Sequence, residues 1–276
     1  MSQSTHKLLR TILVALIILL LNIPILVMLN TSLKTYSDVM SWPPTWFDLP
    51  LQWSNYWEVL FGDKSIIIGL ANSLIVSSSA MVVCVVVAVA AAYAVTRFQF
   101  WGKYGFLFAV ILTQMFSPVL LSGPLYTIFN HLNLLDTRLS LIIANTASCL
   151  PMTLWLLYTY FQQVPIHLEE AAQLDGCNRL QAVWHVVLPV SMPGIVTAGI
   201  YAFISAWGDV VFARMSILSP ELETIPLALV NFQEIYKTSW ELQLAGSTIS
   251  TLPIFILFIF IQRHLGQGLV QSGSKE

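Results

Sequence analysis

An ionisable residue at the end of a strongly apolar stretch is the first candidate for chemistry in this sequence. Asp209 follows Gly208 and the aromatic residues Tyr201, Phe203 and Trp207. On a helix, Phe203 and Trp207 share one face, and Tyr201 lies nearly opposite Phe203. A carboxylate is costly in hydrocarbon and by default indicates a pathway or a partner, and aromatic faces beside it suit a hydroxylated ligand. The alternatives are a carboxylate at the outer headgroups and aromatic rings in contact with lipid.

The second candidate is a polar segment between two apolar stretches, residues 162–186. Pro165 predicts a helix start, and Glu169 and Glu170 fall in the first turn, where acids favour the helix dipole. An apolar stripe at spacings of three and four consists of Leu168, Ala171 and Ala172. Such a small face suits docking in a groove, although a plain amphipathic interfacial helix fits the periodicity equally well.

A turn and a second short helix follow within the same segment. Asp175 and Gly176 predict the turn, because glycine can take the left-handed conformation that ends a helix. The second helix is predicted over residues 178–187, ending where Leu188 and Pro189 break it at the membrane. The segment therefore predicts a helix-turn-helix over about residues 162–189.

Metal binding and hydrolytic chemistry have little support. The histidines are far apart, and His167 and Glu170, three residues apart, rarely suffice as an isolated pair for a metal site. Neither a Gly-x-Ser-x-Gly elbow nor a phosphate-binding Gly-x-x-x-x-Gly-Lys loop occurs, so we expect no metal site and no ATP hydrolysis by this chain. The three cysteines lack the spacing of a disulfide framework or a metal knuckle.

Helices that cross a membrane must hold these candidates. The chain has 276 residues, of which 57% are apolar and only 9% charged, and a mean hydropathy of +0.75. Ordinary soluble domains carry roughly 25% charged residues, and a net charge of −2 gives no basic surface for nucleic acid. Stretches of about 20 apolar residues predict six spans. They are residues 11–33, 65–96, 104–135, 139–164, 186–208 and 242–262. The fold class is therefore all-α and polytopic, with residues 1–276 as one membrane domain and no separate soluble domain.

The distribution of Lys and Arg predicts the orientation. The first span follows Lys7 and Arg10 and reads as a retained anchor rather than a signal peptide, because its apolar core is long. Six spans place both termini on one side, and that side carries seven Lys and Arg residues against five on the other, over longer loops. The positive-inside rule then predicts that both termini and the 162–189 segment are cytoplasmic.

The 162–189 segment resembles a known family motif. Glu170-Ala171-Ala172, three residues, Gly176, nine residues, Val186, one residue and Leu188-Pro189 resemble the EAA loop of inner-membrane permease subunits of bacterial ABC importers, with Val186 in place of the usual Ile. The resemblance covers almost the whole chain and is closest to the six-span permease of maltose-type carbohydrate importers. Other matching stretches are Asn30 to Lys34, Asn72-Ser73, Arg97-Phe98 and Leu252-Pro253. Gly208 departs from the family's usual Asn.

The resemblance implies a mechanism and a set of partners. An extracytoplasmic sugar-binding protein delivers substrate to a heterodimer of this chain with a second permease. Two separate ATPase subunits bind ATP and Mg, and this chain binds no cofactor. Glu170, Ala171, Ala172 and Asp175 would contact an ATPase, Gly176 would make the turn, and Leu188 and Pro189 would join the segment to the fifth span. The loop 216–241 would face the binding protein.

Two other classes of function stay open on the residues alone. A proton-coupled secondary transporter could use Asp209 as a relay, but the two halves of the chain show no clear repeat. An intramembrane enzyme lacks an assembled nucleophile and base. The sequence leaves open which sugar is carried.

Overall fold

The computed structural model describes residues 3–46, 49–233 and 238–272, with the backbone alone for residues 3–6, 8–9 and 260–272. Its described residues form helices joined by turns. The helices are α1 (Gln3–Ser32), α2 (Tyr36–Val39), α3 (Ser54–Phe61), α4 (Ile67–Arg97), α5 (Lys103–Thr113), α6 (Pro118–His131), α7 (Arg138–Gln163), α8 (Ile166–Leu174), α9 (Arg179–Ala182), α10 (Leu188–Val190), α11 (Met192–Trp207), α12 (Val211–Ser216), α13 (Ile225–Val230) and α14 (Trp240–Ser272). A π-helical turn joins α9 to α10, and a short 3₁₀ turn precedes α13.

Six apolar segments are long enough to cross a membrane when each bent pair is counted as one crossing. α1, α4, α7 and α14 each contain a continuous apolar stretch of sufficient length. α5 and α6 form a pair bent by 99°, and residues 179–190 form a second pair with α11, bent by 77°. The prediction of an all-α polytopic membrane protein is confirmed.

The α5–α6 bend follows from proline chemistry. Ser117 has an extended backbone, with φ −63° and ψ 141°, as the residue before a proline favours. Its hydroxyl accepts a hydrogen bond from the Val119 amide at 3.3 Å, which caps α6. Pro118 is the first residue of α6 and stands directly at this bend.

The break before the fifth span differs from the predicted one. The helical segment does not end at Leu188 and Pro189 but continues to Val190 and bends at Ser191. A proline ring would clash with the carbonyl four residues back in an α-helix. The chain widens into a π-helical turn just before Pro189, where the Leu188 amide donates to the Val183 carbonyl, and this turn leaves room for the ring. The straight part of the span therefore begins at Met192 rather than at residue 186.

The chain divides into two compact units, residues 68–227 with 253–276 and residues 1–67 with 228–252. In the first, α4 buries a stripe of small residues. Ala80, Cys84, Ala88 and Ala92 recur every fourth position and are at most 1% exposed. Small side chains let helix backbones approach closely, and α11 packs along α7 in the same unit, with Ala202 against Cys149.

The other unit holds the end of α1. The Asn55 side-chain amide donates to the carbonyls of Ser32 and Lys34 at 2.9 and 2.8 Å. The Tyr56 hydroxyl lies 2.6 Å from the Ser32 hydroxyl. These bonds satisfy carbonyls that the end of a helix leaves without partners. The family-like stretch Asn30 to Lys34 thus has a local structural role.

Candidate functional site

The turn after α8 is fixed by two interlocking motifs. Gly176 has φ +96°, its amide donates to the Gln173 carbonyl at 3.1 Å, and the Cys177 amide donates to the Ala172 carbonyl at 3.0 Å. This pattern is a Schellman motif, in which a left-handed residue closes the helix end. Asn178 then starts α9 with a capping box, exchanging two 2.8 Å hydrogen bonds with Gln181. The predicted helix-turn-helix is present, and its turn leaves little freedom between its two arms.

The predicted contact residues on α8 do not all face the same way. Glu170 and Ala171 are exposed, Ala172 is half-buried, and Asp175 is exposed at the end of the helix. Leu174, which the sequence argument did not single out, is 89% exposed. α8 therefore has an outward face on which two exposed apolar side chains, Ile166 and Leu174, lie beside small and acidic ones.

The neighbouring acid, Glu169, is buried and ion-paired. Its Oε1 lies 2.5 Å from Nε of Arg97, and its Oε2 accepts a hydrogen bond from the Tyr93 hydroxyl at 3.0 Å. Arg97 was noted only for its family resemblance, and Glu169 only for its place in the first helical turn. The sequence did contain one indication of this pair: Arg97 ends a long apolar helix, and a buried arginine requires an anion or a set of carbonyls as its partner.

Leu188 and Pro189 lie in the helical turn before the bend. Leu188 is half-buried and Pro189 is exposed, while Val187 beside them is fully buried. Further back, the Arg179 guanidinium lies over the Phe98 ring, 4.8 Å from its centroid. This cation–π contact joins α9 to the chain directly after α4.

Asp209 caps a helix. Its carboxylate accepts hydrogen bonds from the amides of Phe212 at 3.0 Å and Ala213 at 3.2 Å, and from the Asn145 side chain at 3.3 Å. Because α12 begins at Val211, these bonds satisfy amide groups that the first turn leaves without partners. The sequence argument missed this role, which the spacing of an acid two residues before a helix would have indicated.

The three aromatic residues before Asp209 lie mostly inside the bundle. Phe203 and Trp207 are each 4% exposed and stack on each other with ring centroids 5.5 Å apart. Tyr201 is half-buried beside Cys84 and Cys149. Contact of these residues with a substrate therefore stays a prediction.

The loop after α12 is held in place by the carboxylate of Asp136. Asp136 accepts hydrogen bonds from the amides of Leu218 and Ser219 at 3.0 and 2.9 Å, and also from the Ser219 hydroxyl. The Ser219 hydroxyl, followed by the two amides, holds the pKa of Asp136 below its ordinary value.

The Asn72 side chain holds the same loop further along. Its amide donates to the carbonyls of Glu221 and Glu223 at 2.8 and 2.9 Å, and its oxygen accepts from Arg138 at 2.9 Å. The predicted loop 216–241 is thus anchored over its first part, while residues 234–237 lie outside the described residues.

The described part of the chain contains no group of three or more His, Cys, Asp or Glu residues that could hold a metal ion. His167 and Glu170 both lie on the exposed side of α8 without a third ligand.

In the described part of the chain, up to six apolar crossings and a helix-turn-helix that leads into the fifth of them define a polytopic membrane protein. Residues 84–271 match the family described as binding-protein-dependent transport system inner membrane component. The chain is 33% identical to the inner membrane ABC transporter permease protein YcjP of Escherichia coli, over 95% of this chain and 94% of that protein. It is 34% identical to the sulfoquinovosyl glycerol transport system permease protein SmoH of Agrobacterium fabrum, over 94% and 91%.

The fold agrees with a solved structure. The chain superposes on a chain of a bacterial ABC transporter involved in the import of the acidic polysaccharide alginate, with a TM-score of 0.77 and 22% identity, over 95% of this chain and 98% of that one. The chain belongs to the family of binding-protein-dependent inner membrane transport components. It is a multi-pass permease subunit of an importer, and a transport component rather than an enzyme.

Proposed function

We propose that this chain is the permease of a carbohydrate importer. The names of its relatives carry the proposal. SmoH belongs to a sulfoquinovosyl glycerol system, DasC of Streptomyces coelicolor to a diacetylchitobiose system, and SugB of Mycobacterium tuberculosis to a trehalose system. All three match more than nine tenths of this chain. Their glycosides differ in size and charge, so the proposal extends to a glycoside and not to a particular sugar.

In this proposal α8 couples the bundle to a separate ATPase. The supporting observation is the outward face of Glu170, Ala171 and Leu174 directly before a turn fixed by hydrogen bonds. A large apolar side chain that is 89% exposed on a short connecting helix is suited to a partner's cleft. In this proposal ATP and Mg²⁺ are bound by the separate ATPase subunits.

Further partners complete the proposed assembly. The anchored loop that begins after α12 faces the extracytoplasmic binding protein. A second permease forms a heterodimer with this chain. The side chains of α1 are exposed from residue 10 to residue 27, and the second permease and lipid cover them.

Both termini are proposed to be cytoplasmic. The test uses thiols on the two connecting sides. Cys177 is partly exposed, and Leu218, on the other side, is 76% exposed. In intact cells a membrane-impermeant thiol reagent should leave Cys177 unlabelled and should label a Leu218→Cys variant. The reverse labelling would overturn the orientation.

The coupling proposal is tested by replacing the exposed Leu174 with Gln. Because Leu174 is already in solvent, the change should leave membrane insertion and thermal stability unchanged, while the ATPase no longer copurifies and sugar uptake falls. Leu49→Gln is the matched control, since Leu49 is 85% exposed in a loop far along the chain from α8.

Full uptake by Leu174→Gln would contradict the docking role of α8. A wild-type complex that carries no ATPase, and transports without one, would remove the importer mechanism.

A further inference from the structure

Three helix ends meet at Arg97. It is the last residue of α4, and its guanidinium donates to the carbonyl of Val164 at 2.9 Å and to that of Phe161 at 3.4 Å, at the end of α7. Its Nε forms the 2.5 Å ion pair with Glu169 of α8. The Arg97 and Glu169 side chains are only 7% and 5% exposed.

The charges match the polarity of each helix end. The carboxyl ends of α4 and α7 carry partial negative charge and carbonyls without helical partners, and a guanidinium satisfies both. The amino end of α8 carries partial positive charge, which favours Glu169 in its first turn. A guanidinium is planar with its N–H groups in a fixed fork, so these bonds set an angle as well as a distance.

The connection between α7 and α8 is short. It consists of Val164 and Pro165, and Pro165, at the start of α8, provides no side-chain cap. Tyr93, one turn back along α4, adds a hydrogen bond to the same carboxylate. The directional contacts that fix the start of α8 thus run through Glu169 to α4 and, through Arg97, to α7.

We propose that Arg97 and Glu169 are positioning residues for coupling, which clamp α8 to the ends of α4 and α7. A displacement of α8 is then transmitted to both spans and is not absorbed by bending at Val164 and Pro165. This inference rests on the proposed coupling function. It assigns transmission to the buried face of α8, whereas docking belongs to the exposed face of Glu170 and Leu174.

The main test separates transmission from stability. The double variant Arg97→Met/Glu169→Leu replaces a buried ion pair with apolar side chains, a change that often preserves stability, whereas a single substitution leaves a buried charge without its partner. In nanodiscs with the ATPase subunits and loaded binding protein, the double variant should assemble normally and still hydrolyse ATP. Its stimulation by binding protein, and its uptake per ATP, should fall about 5- to 150-fold, the usual range of a coupling free energy.

A second variant retains the charge. Arg97→Lys keeps a cation for Glu169 but loses the fork that reaches the α7 carbonyls. We expect normal assembly and reduced stimulation by binding protein. Lys103→Met, which removes a cation outside this cluster in the first turn of α5, should retain wild-type stimulation.

Either of two results would overturn the clamp. One is wild-type stimulation in Arg97→Lys or in the assembled double variant. The other is loss of the ATPase from the double variant, which would place the pair in docking instead of transmission. If the double variant fails to insert, Arg97→Lys decides alone. Failure of the coupling function itself is distinguishable, because the wild-type chain would then carry no ATPase.

Discussion

Replacing Gly176 with Val should uncouple the permease without disturbing its spans. Gly176 has φ +96°, a conformation that favours glycine, and a Cβ built there would have no heavy atom within 4 Å. The effect is therefore backbone strain and not a clash. For an L-residue in a left-handed conformation the strain is about 1–2 kcal/mol, and a β-branched residue is a particular outlier. The chain can relieve it by leaving the Schellman turn, which changes the angle between α8 and α9.

The magnitude follows from that strain. A native turn that costs about 1–2 kcal/mol more is populated, relative to its alternatives, about 5- to 30-fold less. We expect ATP hydrolysis stimulated by loaded binding protein to fall by a similar factor in reconstituted complexes. The membrane level and the thermal stability of the spans should stay near those of the wild type.

Gly102 supplies the matched control. It has φ +91°, and a Cβ there would also have no heavy atom within 4 Å, but it lies between α4 and α5. Gly102→Val should carry the same strain and leave coupling intact. Equal loss of stimulation in the two variants would refute the reasoning, because strain anywhere would then suffice. So would wild-type stimulation in Gly176→Val.

Three other expectations follow from the described contacts. Gly194→Ala should destabilise the protein by about 1–3 kcal/mol, because the new Cβ would lie 2.3 Å from the ring of Tyr160, whereas Gly199→Ala makes ordinary contacts from 3.6 Å and should be tolerated in thermal unfolding. The hydrogen bonds of Asp136 lower its folded pKa, so the stabilisation they provide is present above the unfolded pKa of about 3.9 and is lost as pH falls through the folded pKa. Hydrogen exchange of the attached loop should rise as pH falls through the folded pKa, and Asp136→Asn should abolish that pH dependence. Asp209→Asn keeps an oxygen for the helix cap and should retain uptake, while Asp209→Ala should cost about 1 kcal/mol of stability; loss of uptake by a stable Asp209→Asn would instead favour a proton relay.

The spans and the turn could be predicted because they depend on local pattern. A stretch of about twenty apolar residues is costly to expose to water, and the number of such stretches predicted the six crossings. Gly176 indicated a left-handed helix end, and φ +96° confirms it. The small residues of α4 recur at every fourth position from Ala80 to Ala92, which places them on one helix face, and that face is buried.

The orientation of α8 could not be predicted, since it depends on a contact 72 positions away along the chain. Glu169 and Glu170 are both acids in the first turn, and local preference is equal for the two. The positions of Arg97 and Tyr93 make the first of them the buried partner, and the second is exposed. The bend at Ser191 is a similar case. Pro189 and Pro193 lie on either side of it, and sequence alone does not tell which of them marks the break.

In the unit formed by residues 68–227 and 253–276, the amide and guanidinium hydrogen bonds of α4 lie near its two ends, and its small buried residues lie in the middle. Near one end, Asn72 binds Arg138 and the carbonyls after α12; at the other, Arg97 binds α7 and α8. Between them, the small side chains of Cys84 and Ala88 pack in buried, largely apolar clusters. Hydrogen bonds and ion pairs fix geometry, whereas small apolar faces set mainly a distance. Substitutions at the two ends of α4 should therefore change how neighbouring segments are oriented, whereas substitutions in its middle should change chiefly how closely they approach.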